Sequence, residues 1–180
     1  ADASWVKVTF EGFDAEFHAN SSSRIVIEDD GHGMTTDVIE GHWVNPATPL
    51  KLLNKKKNKA QTSKGRVIQG EKGIGRFALL KLGRDITITT RPVRSRSENI
   101  LKLDLSGYDT DFITDANHAL FLDDLSMSLR LAEPAKTIVR ENLSLGEEEA
   151  IRAPHGTRIE IGALTTPWSR SKVAKVFEDL

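Results

Sequence analysis

The chain opens on strict alternation. From Trp5 to Phe10, "WVKVTF", apolar and polar side chains trade places residue by residue, the period of a strand with one face toward a core. Arg24 to Glu28 is a short β-branched run that reads as a second strand and ends at the turn "DDGHG". Thr35 or Thr36 then offers a hydroxyl to cap a helix through "TTDVIEGHW", with Asp37 favoured at the positive helix end. The pattern lapses from Val44 to Gln69, a polar segment with two prolines and the tract "KLLNKKKNKAQTSKGR"; connections this long and this polar are usually functional loops or disordered insertions. Helical spacing returns from Arg76 to Leu82, with Phe77 and Leu80 on a buried stripe and Gly83 as the stop. "DITITTRP" and "ILKLDLS" read as consecutive strands joined by the exposed turn "VRSRSEN". Residues 107–153 are less periodic, with a strand expected at Lys136 to Glu141 and a polar acidic stretch "LGEEEAIRAP" after it. "GTRIEIGAL" is a further strand, and Pro167 with Trp168 opens a final helix. Strands interleaved with helices predict an α/β (α+β) domain.

Composition narrows this. A chain of 180 residues, 38% hydrophobic, suits one domain spanning 1–180. Its 25 basic and 26 acidic residues nearly cancel, so no whole-molecule field drives it onto nucleic acid or membrane. The absence of cysteine excludes a disulfide framework and thiolate metal sites, and fits a reducing, cytoplasmic setting. No apolar run approaches a membrane span, and "ADASWVKVTF" is not a signal peptide. Both ends read as cut: residue 1 is alanine, and "SRSKVAKVFEDL" stops inside an amphipathic helical pattern.

Candidate chemistry lies in three separated pieces. The strand "IVIED" ends in Asp29, followed by Gly31, Gly33 and Met34; a carboxylate there accepts from an exocyclic amine, and glycines admit a flat ring to the backbone. Asp and Gly also fill turns with no ligand at all. In "GEKGIGRFALLKLG", Gly70, Gly73 and Gly75 precede a helix, where free amides and the helix end face an anion, and Lys72 and Arg76 add charge. No GK[ST] follows, so this is not a Walker A loop, and the spacing is not a dinucleotide fingerprint. In "HGTRIEI" the hydroxyl of Thr157 can share a water with a carboxylate and a purine.

Taken in this order, the three pieces resemble the Bergerat-fold (GHKL) ATPases, the histidine-kinase-like superfamily that includes gyrase B, the ninety-kilodalton heat-shock chaperone, MutL and MORC proteins. The resemblance covers residues 1 to about 92 and returns at His155 to Leu180, and it implies the Bergerat ATP-binding fold: a two-layer α/β (α+β) sandwich, a mixed sheet with helices on one face. It implies that Asp29 binds the adenine amine, that Gly31, Gly33 and Met34 line the base, and that Thr157 supports it. It implies too that the segment Gly70, Lys72, Gly73, Ile74, Gly75, Arg76 and Phe77 wraps the phosphates, with residues 44–70 as an ATP lid. The cofactors implied are ATP and Mg2+; ATP or ADP would be the ligand, and the full-length protein a magnesium-dependent ATPase in which lid closure drives homodimerisation or domain rearrangement. The family's general base and magnesium ligand, a glutamate and an asparagine on one helix, are expected upstream of residue 1. The chain itself is therefore expected neither to hydrolyse ATP nor to bind it tightly. "GEKGIGRFA" with "GTRIEI…TTPW" looks most like the bacterial chaperone, MutL and MORC-like branch. The catalytic domain of a sensor histidine kinase, a nucleotide sensor without turnover, and a scaffold for protein contacts are the alternatives.

Other features read more plainly. Lys51 to Arg66 is basic and could meet a nucleic-acid backbone, but it lacks aromatic side chains to stack bases, so a solvated loop is favoured. The histidines at 18, 32, 42, 118 and 155 show no metal-ligand spacing, and no nucleophile elbow marks a hydrolase triad. His32 either edges the base or packs the turn. Asp30, Glu28 and Glu71 are not promoted to a general base. Trp5, Trp43 and Trp168 mark core or domain contacts.

Overall fold

A computed structural model describes residues 2–43, 65–66, 75–108, 111–114 and 126–178. Six strands form one sheet: β1 (Val6–Glu11), β2 (Arg24–Asp29), β3 (Gly83–Arg91), β4 (Glu98–Asp104), β5 (Met127–Ala132) and β8 (Gly156–Leu164). Their order is β1-β2-β8-β3-β4-β5, and every neighbouring pair is antiparallel. β6 (Glu141–Leu145) and β7 (Glu148–Arg152) make a separate hairpin.

Register explains the core. Phe10, Ile25, Ile161, Ile86, Leu103 and Met127 are successive cross-strand partners, and Val8, Ile27, Ile159, Ile88, Leu101 and Leu129 form the next such row. Directly opposed residues project to one face, so both rows build a single apolar surface, on which Ile25, Ile86, Ile88, Leu101, Leu103 and Ile161 are buried. Burying each such side chain is worth roughly 1.5–3 kcal/mol. The second layer lies on that face. A helical turn α1 (Thr36–Val38) continues as a π-helix (Ile39–Trp43), and a 3-10 helix spans Gly75–Lys81. Ile39 and Leu80 from these segments join the buried cluster, while Leu79, Leu82 and Trp168 pack against it. The α/β two-layer expectation holds, but the sheet expected to be mixed is antiparallel at every described pairing. Among the described residues no helix is long and apolar enough to cross a membrane.

Several local expectations change. Thr35 is the cap of α1, accepting from the Val38 amide at 3.3 Å, whereas the Thr36 hydroxyl turns inward. The helix expected from Arg76 is a 3-10 turn, closed by the Leu82 amide on the Leu79 carbonyl, because β3 begins at once. Gly83 is therefore no helix stop but the first residue of β3, where a Cβ would come 2.3 Å from the Gly162 carbonyl oxygen. No strand forms from Lys136 to Arg140; the amides of Lys136, Thr137 and Ile138 instead converge on the Glu98 carboxylate at 3.0–3.1 Å. The acidic stretch folds as the turn and second strand of the hairpin. The last helix, α2 (Arg170–Glu178), starts after Ser169, whose carbonyl accepts from Val173, while Trp168 stays in the core with its ring edge-on to Phe10 at 5.1 Å.

The opposite face of the sheet carries charge. Glu28 and Arg158 are cross-strand partners joined at 2.9 Å, and Arg152 of the hairpin, 2% exposed, reaches Glu28 at 3.1 Å and Glu141 at 2.8 Å.

Candidate functional site

A third row continues the two apolar ones, and it is polar. Asp29 opposes Thr157, Thr157 opposes Thr90, and Thr90 opposes Asn99. These four share the face of the core rows but stand at one edge of it. Thr90 is 0% and Asn99 3% exposed, so their polar atoms must find partners within the protein. They do. The Thr90 hydroxyl accepts from the Met34 amide at 2.9 Å, and lies 3.1 Å from both the Gly156 carbonyl and the Thr157 hydroxyl. Asn99 donates to the Met34 carbonyl at 2.9 Å and accepts from the Thr36 hydroxyl at 3.0 Å. Both backbone groups of Met34 are thereby fixed by the sheet.

The turn between β2 and α1 is clamped onto this row. The Gly31 amide donates to the Asp29 carboxylate at 2.8 Å, an Asx-type closure. Gly33 has φ +65°, and a Cβ there would lie 2.0 Å from the Arg91 carbonyl oxygen, so its lack of a side chain lets the turn pack on the end of β3. The next residues of that strand end bind as well: the Val93 amide donates to the His32 carbonyl at 3.1 Å. From β8, Gly156 (φ +128°) would place a Cβ 2.0 Å from the Asp29 carbonyl oxygen, and His155 Nδ1 meets the Gly31 carbonyl at 2.8 Å. A carbonyl only accepts, so Nδ1 carries the proton in this contact.

Burial raises the Asp29 carboxyl above its ordinary value, with the amides of Gly31 and Thr157 acting in the opposite sense. The result is an acceptor-only group, partly stripped of water, beside the Thr157 hydroxyl: a place for a hydrogen-bond donor. Its carboxylate neighbours are otherwise engaged. Asp30 accepts from the Ser4 and Trp5 amides, and Glu28 is ion-paired on the far face.

Of the residues singled out in the sequence, Asp29, Gly31, Gly33, Met34 and Thr157 come together here. Gly75, Arg76 and Phe77 belong to the 3-10 helix. Gly70, Lys72, Gly73, Ile74 and Glu71, and the expected lid except Gly65 and Arg66, lie outside the described residues. Thr36, Thr90, Asn99 and His155 were not anticipated. His32 is exposed, and His18 pairs with Asp14 at 3.0 Å on the surface. Among the described residues no group of three or more acidic, histidine or cysteine side chains is arranged for a metal.

The family model for histidine kinase-, DNA gyrase B-, and HSP90-like ATPases matches residues 1–116 of the 180-residue chain, well over half. β8 and Thr157 lie beyond the matched span and reach the row through strand register. No curated protein matches the chain.

Proposed function

The chain belongs to the histidine kinase-, DNA gyrase B- and HSP90-like ATPase family, and from that premise we propose that its polar row is the base pocket of an ATP site. The exocyclic amine of adenine donates to Asp29, the ring lies against Gly31, Gly33 and Met34, and Thr157 completes the polar edge. Gly70, Lys72, Gly73, Ile74, Gly75, Arg76 and Phe77 follow the phosphates, and residues 44–70 close over them as the lid. In the full-length protein the site supports magnesium-dependent ATP hydrolysis, and lid closure is converted into dimerisation or domain rearrangement, the ordering of a segment by phosphate contacts being a recurrent switch.

The observation that carries this reading is the state of Asp29: a partly buried carboxylate on the core parity of β2, one strand in from the sheet edge, with two backbone amides acting on it and no cationic side chain paired with it among the described residues. A purely structural carboxylate at such a place would be expected to find an arginine, as Glu28 does on the other face. The test is Asp29→Asn, which keeps an oxygen for Gly31 but loses the acceptor-only character. Ligand-observed NMR with ADP should show binding reduced at least about tenfold, while circular dichroism shows an unchanged fold. Equal binding by the variant would overturn the proposal.

A further inference from the structure

The Thr90 hydroxyl sits among three polar atoms and has one proton to give. The Met34 amide donates to it at 2.9 Å, which uses one lone pair. The Gly156 carbonyl, 3.1 Å away, can only accept, so the Thr90 proton points there; turned elsewhere, two oxygens would face each other through lone pairs. The contact of 3.1 Å between the Thr90 and Thr157 hydroxyls is then filled by the Thr157 proton, which takes the second lone pair of Thr90. Thr157 is left with lone pairs and no proton for anything on its open side. Asp29 is its direct cross-strand partner, and the Cβ atoms of such partners stand about 4.5–5.5 Å apart. A single NH2 group can serve two acceptors on neighbouring side chains, since two N–H···O bonds of about 2.9 Å diverging by about 120° end on oxygens about 5 Å apart.

We propose that Thr90 is a specificity-determining residue, which fixes Thr157 as a hydrogen-bond acceptor so that the Asp29–Thr157 pair selects a 6-aminopurine over a 6-oxopurine nucleotide. Thr90 does not touch the base; it acts through Thr157. The inference rests on the ATP reading of the same site. A 6-oxo group would face two acceptors and leave both unpaired, the situation in which buried polar sites discriminate most strongly.

ATP and ITP differ in this functional group and in the N1 proton that accompanies it, so the ratio of their affinities for the 180-residue chain, read by ligand-observed NMR competition, is the measurement. The wild type favours ATP by about a hundredfold or more. Thr90→Val frees the Thr157 rotor, which then donates to the oxo group, and the ratio falls by about tenfold or more; Thr90→Ser restores it. Thr157→Val lowers the ratio as well, and adding T90V to T157V changes it no further, because Thr90 acts only through Thr157. If T90V does not fold, Thr90→Ala against Thr90→Ser carries the test, with the ratio lowered in the first and kept in the second. An unchanged ratio in T90V, or in T157V, overturns the assignment of Thr90 while leaving the ATP site standing. Failure of the wild type to bind either nucleotide overturns both.

Discussion

At Asp29 folding and the proposed recognition of a base pull in opposite directions, because burial raises its carboxyl above the ordinary value while a base amine would call for the ionised form. A raised acid pKa makes folding favour the protonated group: that contribution is complete below the unfolded value and is lost as pH rises through the folded one. Asp29→Asn should therefore show an unchanged or higher melting temperature at neutral pH even as nucleotide binding fails. Binding by the wild type should weaken as pH falls through the raised pKa of Asp29, which titration of ADP at a series of pH values checks. Glu98 shows the reverse sign. Its burial opposes ionisation, but the amides of Ile138, Lys136 and Thr137 outweigh that and hold its carboxyl below the ordinary value. The stability it supplies is present above the ordinary carboxylate range and lost as pH falls through the lowered pKa. Glu98→Gln should cost about 1–3 kcal/mol in urea unfolding at neutral pH, and less in acid.

Strand parity carried more of the site than its motifs did. In "RIVIED" the inward residues are Ile25, Ile27 and Asp29; in β8 they are Thr157, Ile159 and Ile161; in β3, Ile86, Ile88 and Thr90; in β4, Asn99, Leu101 and Leu103. Each strand breaks its apolar alternation with one polar residue at the same end of the sheet. That signal was present in the sequence for Thr90 and Asn99, but only knowledge of the strand order puts the four breaks in line. His155 gave no such signal, since its value lies in a loop contact 124 positions away along the chain. The strands that escaped notice, β5 to β7, have exposed or half-buried residues on both parities apart from Arg152, so hydrophobic periodicity had little to report. Gly83 was legible as a glycine position but for the wrong reason, and a comparison separates the two. Gly83→Ala drives a Cβ into the backbone of β8 and should cost about 2 kcal/mol or more, whereas Gly146→Ala, in open space at φ +66°, should cost about 1 kcal/mol. Thermal melts of both variants decide it.

At the scale of the molecule, one sheet keeps two kinds of polar group apart: a hydrogen-bonded row at the edge of the core face, and an ion-paired network on the other. Arg152 ties the hairpin to that second face, and removing it leaves the buried Glu28 with Arg158 alone. Arg152→Ala should therefore destabilise the chain by about 3 kcal/mol, measured by urea unfolding. The strands β1 to β4 and β8 were readable from alternation, and the layering and the proposed base-side residues were named from a resemblance to a family, because all depend on short segments. The proton arrangement around Thr90 was not, because it depends on atoms brought together from β3, β8 and the turn after β2. The proposed function turns on where an adenine ring would sit. In a crystal structure of the chain with ADP, the account predicts the exocyclic nitrogen within about 3.2 Å of the Asp29 carboxylate and the ring edge facing Thr157. A base bound elsewhere, for example in the polar groove on the opposite face lined by Ser22, Asp85 and Glu160, would contradict it.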